Sequence, residues 1–237
     1  MQHVRVVLID RQSLFRAGLK LVLDKYPGLE VVGDADDLKT GRAVIETRRP
    51  DVALIELLPP GEATFAAVDR IQESNSELKV IFLSDGVSEW PVVQALRIGA
   101  KGYLSKTESS DFLHQAIREV ASGGIAFSEP IGSRLAPGRQ GFELGDGLAP
   151  SLLSLSRREL EVLRRLACGE AVRGIAGELN RSIRTINNHR TNLMKKLGIH
   201  NRVALARFAV ESGLVGLEMR FPRGVGRTRS KKSTAAR

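Results

Sequence analysis

Short apolar runs alternate with segments of helical periodicity over the first 125 residues. The apolar runs have the length and composition of buried strands. They are Val4–Ile9, Leu29–Gly33, Val52–Ile55, Val80–Leu83 and Gly102–Leu104. Apolar residues in the segments between and after them recur at the spacing of one helix face. Five such units predict a doubly wound α/β domain with a five-stranded parallel sheet and helices on both faces.

Four polar residues directly follow or close the predicted strands: Asp10, Glu56, Ser84 and Lys106. In an open parallel sheet, the functional crevice lies at the carboxyl ends of the strands. We therefore expect these four side chains to lie together, at one edge of the sheet.

The pattern changes after the first domain. Residues 128–154 are rich in proline and glycine, which is typical of a linker. Helical periodicity then resumes without any strand pattern. These changes predict an α/β domain, a linker, an all-helical domain and a disordered basic tail, at residues 1–125, 126–153, 154–216 and 217–237.

The net charge of +9 is divided unevenly along the chain. Residues 1–150 hold 17 Lys and Arg against 21 Asp and Glu, whereas residues 151–237 hold 19 against 6. The first part therefore has a net charge of −4 and the second +13. A generically basic protein would not segregate its charge in this way. A polyanion is the expected partner of the second part, and nucleic acid is the obvious one.

Several other classes of protein are disfavoured. The chain has one cysteine, Cys168, so it cannot form an intrachain disulfide or a cysteine-based metal site. No apolar run approaches the ~20 residues of a membrane span. We expect a cytoplasmic protein that needs no cofactor or metal ion and does not bind a membrane.

The third helix of the second domain, predicted at residues 183–197, is rich in Asn, Arg and Lys and contains no acid. A merely solvated basic helix would normally carry Glu as well. Asn side chains suit adenine edges in the major groove, and Arg suits guanine or phosphate. The first helix of this domain begins in capping-box form at Ser156 and Glu159, and Ser182 is the expected N-cap of the third helix.

The segment from Leu155 to Val215 resembles the LuxR-type helix-turn-helix of the NarL/FixJ response regulators over its whole length and without a gap. The resemblance implies a four-helix DNA-binding domain whose last helix, within Asn201–Ser212, serves dimerisation. It implies base reading by Asn187, Asn188 and Thr191 and backbone contacts from basic residues. The full set of DNA-binding candidates is Arg184, Thr185, Asn187, Asn188, Arg190, Thr191 and Lys195. The second helix departs from the family, because Ala171 replaces the usual Ser or Thr cap and Gly174 the usual acid.

Residues 3–122 resemble the receiver domain of the same regulators, a flavodoxin-like fold. Receivers accept a phosphoryl group on an aspartate after the third strand, and two acids after the first strand help to bind Mg²⁺. A Ser or Thr and a Lys bind the acyl phosphate. Here the resemblance assigns Asp10, Ser84 and Lys106 to their usual roles, and Tyr103 to the position of the aromatic switch residue.

Two positions depart from the receiver pattern: the second metal-site acid is Arg11, and the phospho-acceptor is Glu56. The longer side chain moves its carboxylate outward by about one C–C bond, roughly 1.5 Å, and Arg11 places a cation where the metal should bind. Together they predict that the domain is not phosphorylated. Two interpretations remain open. Glu56 and Arg11 could hold the domain in an active-like state. Alternatively, the site no longer has a function, and Arg11 simply forms salt bridges with Asp10 and Glu56.

The predicted function is therefore an atypical two-component transcription regulator that binds double-stranded DNA as a homodimer. The alternatives are a conventional phosphorylation-switched regulator, which would have a sensor kinase as a partner, and a regulator whose first domain senses an unknown small ligand.

Overall fold

The computed structural model describes residues 3–58, 61–129, 131–138, 141–144, 151–152 and 154–215. The chain forms an α/β domain and a helical domain, joined by a segment that contains a β-hairpin. The predicted tail at residues 217–237 lies outside the described residues, as does part of the predicted linker. The predicted domain bounds stay predictions.

The first domain is built around a parallel sheet in the order β2-β1-β3-β4-β5-β6. Its strands are β1 (Val4–Ile9), β2 (Leu29–Ala35), β3 (Val52–Glu56), β4 (Lys79–Ser84), β5 (Gly102–Ser105) and β6 (Ala126–Phe127). The predicted doubly wound fold is confirmed, but the prediction of five strands was wrong. The sixth strand pairs through only two residues, so its sequence has no periodicity that could have predicted it.

Five helices follow the first five strands and cover both faces of the sheet. They are α1 (Ser13–Leu23), α2 (Leu38–Arg48), α3 (Glu62–Ser74), α4 (Glu89–Arg97) and α5 (Ser110–Ala121). Alternate residues along each strand enter opposite cores. In β1, for example, Val7 joins the core that includes residues of α2, α3 and α4, and Val6 joins the core beneath α1 and α5.

The strand order reverses between β1 and β3, so the chain leaves these neighbouring strands toward opposite faces of the sheet. This switch point opens a crevice at the carboxyl ends of the strands, and Asp10 and Glu56 lie there.

Within the described residues 154–215, the second domain has four helices, as predicted: α6 (Arg157–Ala167), α7 (Val172–Glu178), α8 (Ile183–Leu197) and α9 (Arg202–Glu211). The predicted capping box of α6 is present, because Ser156 and Glu159 exchange hydrogen bonds. Ser182 accepts from the Thr185 amide at 3.0 Å and caps α8. Between the two domains, β7 (Leu135–Gly138) and β8 (Gly141–Leu144) form an antiparallel hairpin inside the predicted linker.

Replacement of Gly174 or Gly177 by Ala should stabilise the protein. Both glycines lie within α7, and a Cβ added to either would meet no atom within 4 Å. Alanine therefore gains its helix propensity of about 0.5–1 kcal/mol without a steric cost. Urea denaturation should show a higher midpoint for each variant. The matched control is Gly41→Ala in α2, which should destabilise, because its Cβ would lie 2.5 Å from the Ile9 Cδ1 atom.

Candidate functional site: a closed receiver crevice and a recognition helix

Three charged side chains close the crevice at the carboxyl ends of the strands. The Lys106 ammonium lies 2.7 Å from the Oδ2 atom of Asp10 and 2.7 Å from the Oε1 atom of Glu56. Their side chains are only 6%, 4% and 7% exposed, respectively. Lys106 also lies over the ring of Phe15, with its Nζ atom 4.7 Å from the centroid. The predicted convergence of Asp10, Glu56 and Lys106 is therefore present, as one buried ion cluster.

The second carboxylate oxygens of Asp10 and Glu56 accept hydrogen bonds from the loop after β1. The Arg11 amide donates to the Glu56 Oε2 atom at 3.0 Å, and the Arg11 Nε atom lies 3.6 Å from the same oxygen. The Gln12 amide donates to the Asp10 Oδ1 atom at 2.8 Å. Gln12 was not predicted as a site residue, because nothing in the sequence distinguishes it from an exposed loop glutamine.

The ion cluster fixes the charge state of its members. Burial tends to raise the pKa of Glu56, but the hydrogen bonds from Lys106 and from the Arg11 amide outweigh it and lower the pKa. Burial likewise tends to lower the pKa of Lys106, and the hydrogen bonds to Asp10 and Glu56 outweigh it and raise the pKa. Glu56 is therefore an anion and Lys106 a cation at neutral pH.

Ser84 and Tyr103 lie beside the cluster, at the ends of β4 and within β5. Tyr103 is fully buried, and its hydroxyl donates to the Gly86 carbonyl at 3.5 Å. Burial raises the pKa of this hydroxyl to about 12. Tyr103 is thus a core residue that faces inward.

The crevice does not suit a divalent cation. Both carboxylates that could bind one are already paired with Lys106, and the guanidinium of Arg11 lies against Glu56 where the resemblance expects a second acid. Among the described residues, no three His, Cys, Asp or Glu side chains are grouped so that they could hold a metal ion.

The second candidate site is the exposed face of α8. Arg184, Asn188, Thr191 and Lys195 are exposed, and Asn187 is partly exposed beside them. Helical spacing places Arg184, Asn188, Thr191 and Lys195 on the side opposite Ile186 and Leu193, which are buried in the core of the domain, and Asn187 at the edge of that side. Arg190 is exposed at the flank of this face, in a cleft of about 580 Å³ that Lys195 also lines. Thr185 instead shares the N-cap, with its hydroxyl 2.9 Å from that of Ser182.

A buried acid holds α8 in place. The Lys196 ammonium donates to the Glu159 Oε2 atom at 2.7 Å and to the Ser154 carbonyl at 3.1 Å. Burial tends to raise the pKa of Glu159, but the hydrogen bonds from Lys196 and Ser156 outweigh it and lower the pKa. The capping box of α6 is therefore also the anchor of α8, a link that the sequence pattern did not reveal.

Comparison with known proteins gives a family match for each of the two domains. Residues 6–118 match the family described as "Response regulator receiver domain", and residues 153–209 match "Bacterial regulatory proteins, luxR family". The chain is 31% identical over 215 residues to the response regulator UvrY of Escherichia coli K12, with 91% of this chain and 97% of UvrY covered. This chain belongs to the NarL/FixJ family of response regulators.

Other relatives of this response regulator match over a similar length. It is 35% identical over 204 residues to the transcriptional regulatory protein UhpA of Escherichia coli K12, with 86% of this chain and 96% of UhpA covered. Its fold is similar to that of RcsB from Salmonella enterica serovar Typhimurium, bound to a promoter, with a TM-score of 0.61. That match has 24% identity and covers 89% of this chain and 99% of RcsB. Within the described residues, this response regulator has no helix that could span a membrane.

Proposed function

We propose that this response regulator controls transcription by binding double-stranded DNA as a homodimer through α8, and that it does so without phosphorylation of its receiver domain. The exposed face of α8 supports the first part. It presents amides, a hydroxyl and cations side by side, and α8 contains no acid. A helix with this composition can enter the major groove without charge repulsion from the phosphates.

The residues of this face divide into two roles. Asn187, Asn188 and Thr191 lie in the middle turns of α8, and we assign them to base edges. Arg184 and Lys195 lie on the same face, and Arg190 lies at its flank, so we assign these three cations to the DNA backbone. Thr185 keeps a supporting role, because its hydroxyl is part of the N-cap of α8.

A single short helix reads too few base pairs for useful specificity, so two copies on two half-sites are expected. In α9 the side chain of Val203 is 80% exposed, and such an apolar side chain suits a contact between two copies. A cytoplasmic location follows from this function, since the chromosome lies there, and it stays a prediction.

The ion cluster supports the second part of the proposal. Its carboxylates are neutralised by the side chains of Lys106 and Arg11, so that no metal ion is needed to balance their charge. Phosphorylation of Glu56 would require Lys106 and Arg11 to give up these contacts, and would place the new group about one C–C bond, roughly 1.5 Å, from the usual position. The protein level, or a signal at the first domain other than phosphate, would then set the output.

Asn187→Ala and Asn188→Ala are expected to relax the base preference of the protein. Each bidentate amide contact contributes about 1–3 kcal/mol of discrimination against the wrong base. Selection from a randomised DNA library should therefore give a less defined consensus at the positions that each residue reads. An unchanged consensus for both variants would show that α8 does not read bases through these amides.

Arg190→Ala is expected to weaken binding to all DNA sequences by a similar factor. If Arg190 neutralises one phosphate, its loss should reduce the slope of log K against log salt by about one. The measurement is a fluorescence anisotropy titration at several salt concentrations. Arg42→Ala is the matched control, because Arg42 is exposed on α2 in the receiver domain and pairs with Glu46. An equal loss in both variants would point to net charge rather than to a phosphate contact.

A further inference from the structure

Trp90 belongs to the receiver domain by sequence but to the DNA-binding domain by packing. It lies in the first turn of α4 and is 4% exposed. Its side chain is part of the hydrophobic cluster that forms the core of the second domain, together with residues such as Leu152, Phe208 and Leu214. The core of the DNA-binding domain is therefore completed by a side chain from the other domain.

The main chain reinforces this contact. The Trp90 amide donates to the carbonyl of Ser212 at 2.9 Å. Ser212 is the C-cap of α9, and Trp90 is the second residue of α4. The first N–H groups and the last C=O groups of helices have no partners within their own helix. An unpaired N–H group at the start of α4 therefore bonds to an unpaired C=O group at the end of α9. The partial charge of the helix dipole is positive at the first of these ends and negative at the second.

Gly213 makes the close approach possible. Its φ of +73° is in the left-handed region, which ends α9. A Cβ atom at this position would lie 2.4 Å from the Cβ atom of Ser88 and 3.1 Å from the Cδ atom of Pro91. No other residue type fits between the two domains there.

Two ion pairs also join acids of the receiver domain to basic residues that follow it in the chain. Arg164 of α6 pairs with Glu62 at the start of α3, which joins the two domains directly. Arg134, in the segment after the receiver domain, lies 2.7 Å from Glu89 of α4. In both pairs the acid belongs to the receiver domain, whose net charge is of the opposite sign to that of the basic remainder of the chain.

The contact leaves the recognition face uncovered. It involves α6, the end of α9 and the residues after it, whereas Arg184, Asn188, Thr191 and Lys195 on α8 are exposed. We propose that Trp90, Ser212 and Gly213 form an interdomain latch that holds the DNA-binding domain in one orientation with its recognition helix accessible. The receiver domain then supports DNA binding rather than blocking it.

The latch can be observed directly, because Trp90 is the only tryptophan in the chain. Gly213→Ala should open the latch, red-shift the emission of Trp90 and increase its quenching by acrylamide several-fold. Gly198→Ala is the matched control: Gly198 also ends a helix with a positive φ, of +65°, but a Cβ there would meet no atom within 4 Å. Emission and quenching should therefore stay unchanged in the control. Equal spectra for Gly213→Ala, Gly198→Ala and the wild-type chain would overturn the proposal.

The effect on DNA binding is tested with Trp90→Ala and Trp90→Phe in the full chain. We expect several-fold weaker DNA binding for Trp90→Ala and recovery for Trp90→Phe, which keeps an aromatic side chain in the cluster. Circular dichroism checks that both variants are folded. If Trp90→Ala is not folded, the affinity of Gly213→Ala is compared with that of the wild-type chain instead. If Trp90→Ala, or Gly213→Ala in its place, binds DNA as tightly as the wild-type chain or more tightly, the proposal that the receiver domain supports DNA binding is overturned.

This second measurement rests on the proposed function, whereas the fluorescence measurement does not. If the wild-type chain does not bind DNA, the proposed function fails, while the spectra of Gly213→Ala still decide whether the latch exists.

Discussion

Replacement of Lys106 by Met is expected to lower the free energy of unfolding of the receiver domain by about 3–5 kcal/mol, because it leaves buried carboxylates without their main counter-ion. Asp10 and Glu56 are 4% and 7% exposed, and each lies 2.7 Å from the Lys106 ammonium. Methionine keeps the length of the aliphatic stem, so the lost charge dominates the change. Denaturation in urea, followed by circular dichroism, measures the effect.

The pH dependence of this variant separates a charge effect from a packing effect. In the wild-type chain the pKa of Glu56 is lowered, so the stability from this group is present above its ordinary pKa of about 4.3 and is lost as the pH falls. Without Lys106, burial should raise the pKa of Glu56, and the variant should instead gain stability as the pH falls from 7 toward 5.

Two further variants control for the loss of Lys106. Adding Glu56→Gln to Lys106→Met should restore part of the stability, since one of the buried charges is removed. Lys101→Met should change stability by no more than about 0.5 kcal/mol, because Lys101 is exposed. If Lys101→Met lowered the free energy of unfolding as much as Lys106→Met, the ion cluster would not be the source of the stability.

The double variant Arg11→Asp/Glu56→Asp is expected to accept a phosphoryl group from acetyl phosphate in the presence of Mg²⁺, whereas the wild-type chain is not. The two substitutions return the residue types that the family resemblance assigns to these positions, and the other members, Asp10, Ser84 and Lys106, are already in place. Shortening residue 56 frees the space that the Glu56 carboxylate occupies, and removing Arg11 takes away the competing cation. Intact-protein mass spectrometry should show one added phosphoryl group.

Arg11→Asp/Glu56→Asn is the matched control for this experiment. It has the same added acid at position 11 but no carboxylate at position 56, so its mass should stay unchanged. An adduct on the control would place the phosphoryl group elsewhere. The absence of an adduct on Arg11→Asp/Glu56→Asp would mean that further residues disable the crevice.

The sequence predicted those features that depend on periodicity and on local capping. The first five strands of the first domain, the four helices of the second and the caps at Ser156 and Ser182 follow from short-range patterns. The convergence of Asp10, Glu56 and Lys106 was also predictable, because parallel strands bring their carboxyl ends to one edge of the sheet.

Contacts between distant parts of the chain were not predictable from these patterns. The pair of Glu159 with Lys196 joins residues 37 positions apart, and the amide of Trp90 meets a carbonyl at position 212. A single tryptophan has no periodicity, so its burial in the other domain could not be inferred. The strand β6 was missed for a related reason, since only Ala126 and Phe127 pair with β5.

The most direct test of phosphorylation-independent DNA binding uses the wild-type chain alone. The purified protein is incubated with Mg²⁺ and acetyl phosphate, its mass is measured, and its DNA affinity is compared with that of an untreated sample. We expect an unchanged mass and the same affinity, because Lys106 and Arg11 already neutralise Asp10 and Glu56. An added phosphoryl group together with a changed affinity would contradict the proposal and make this protein a conventional phosphorylation-switched regulator.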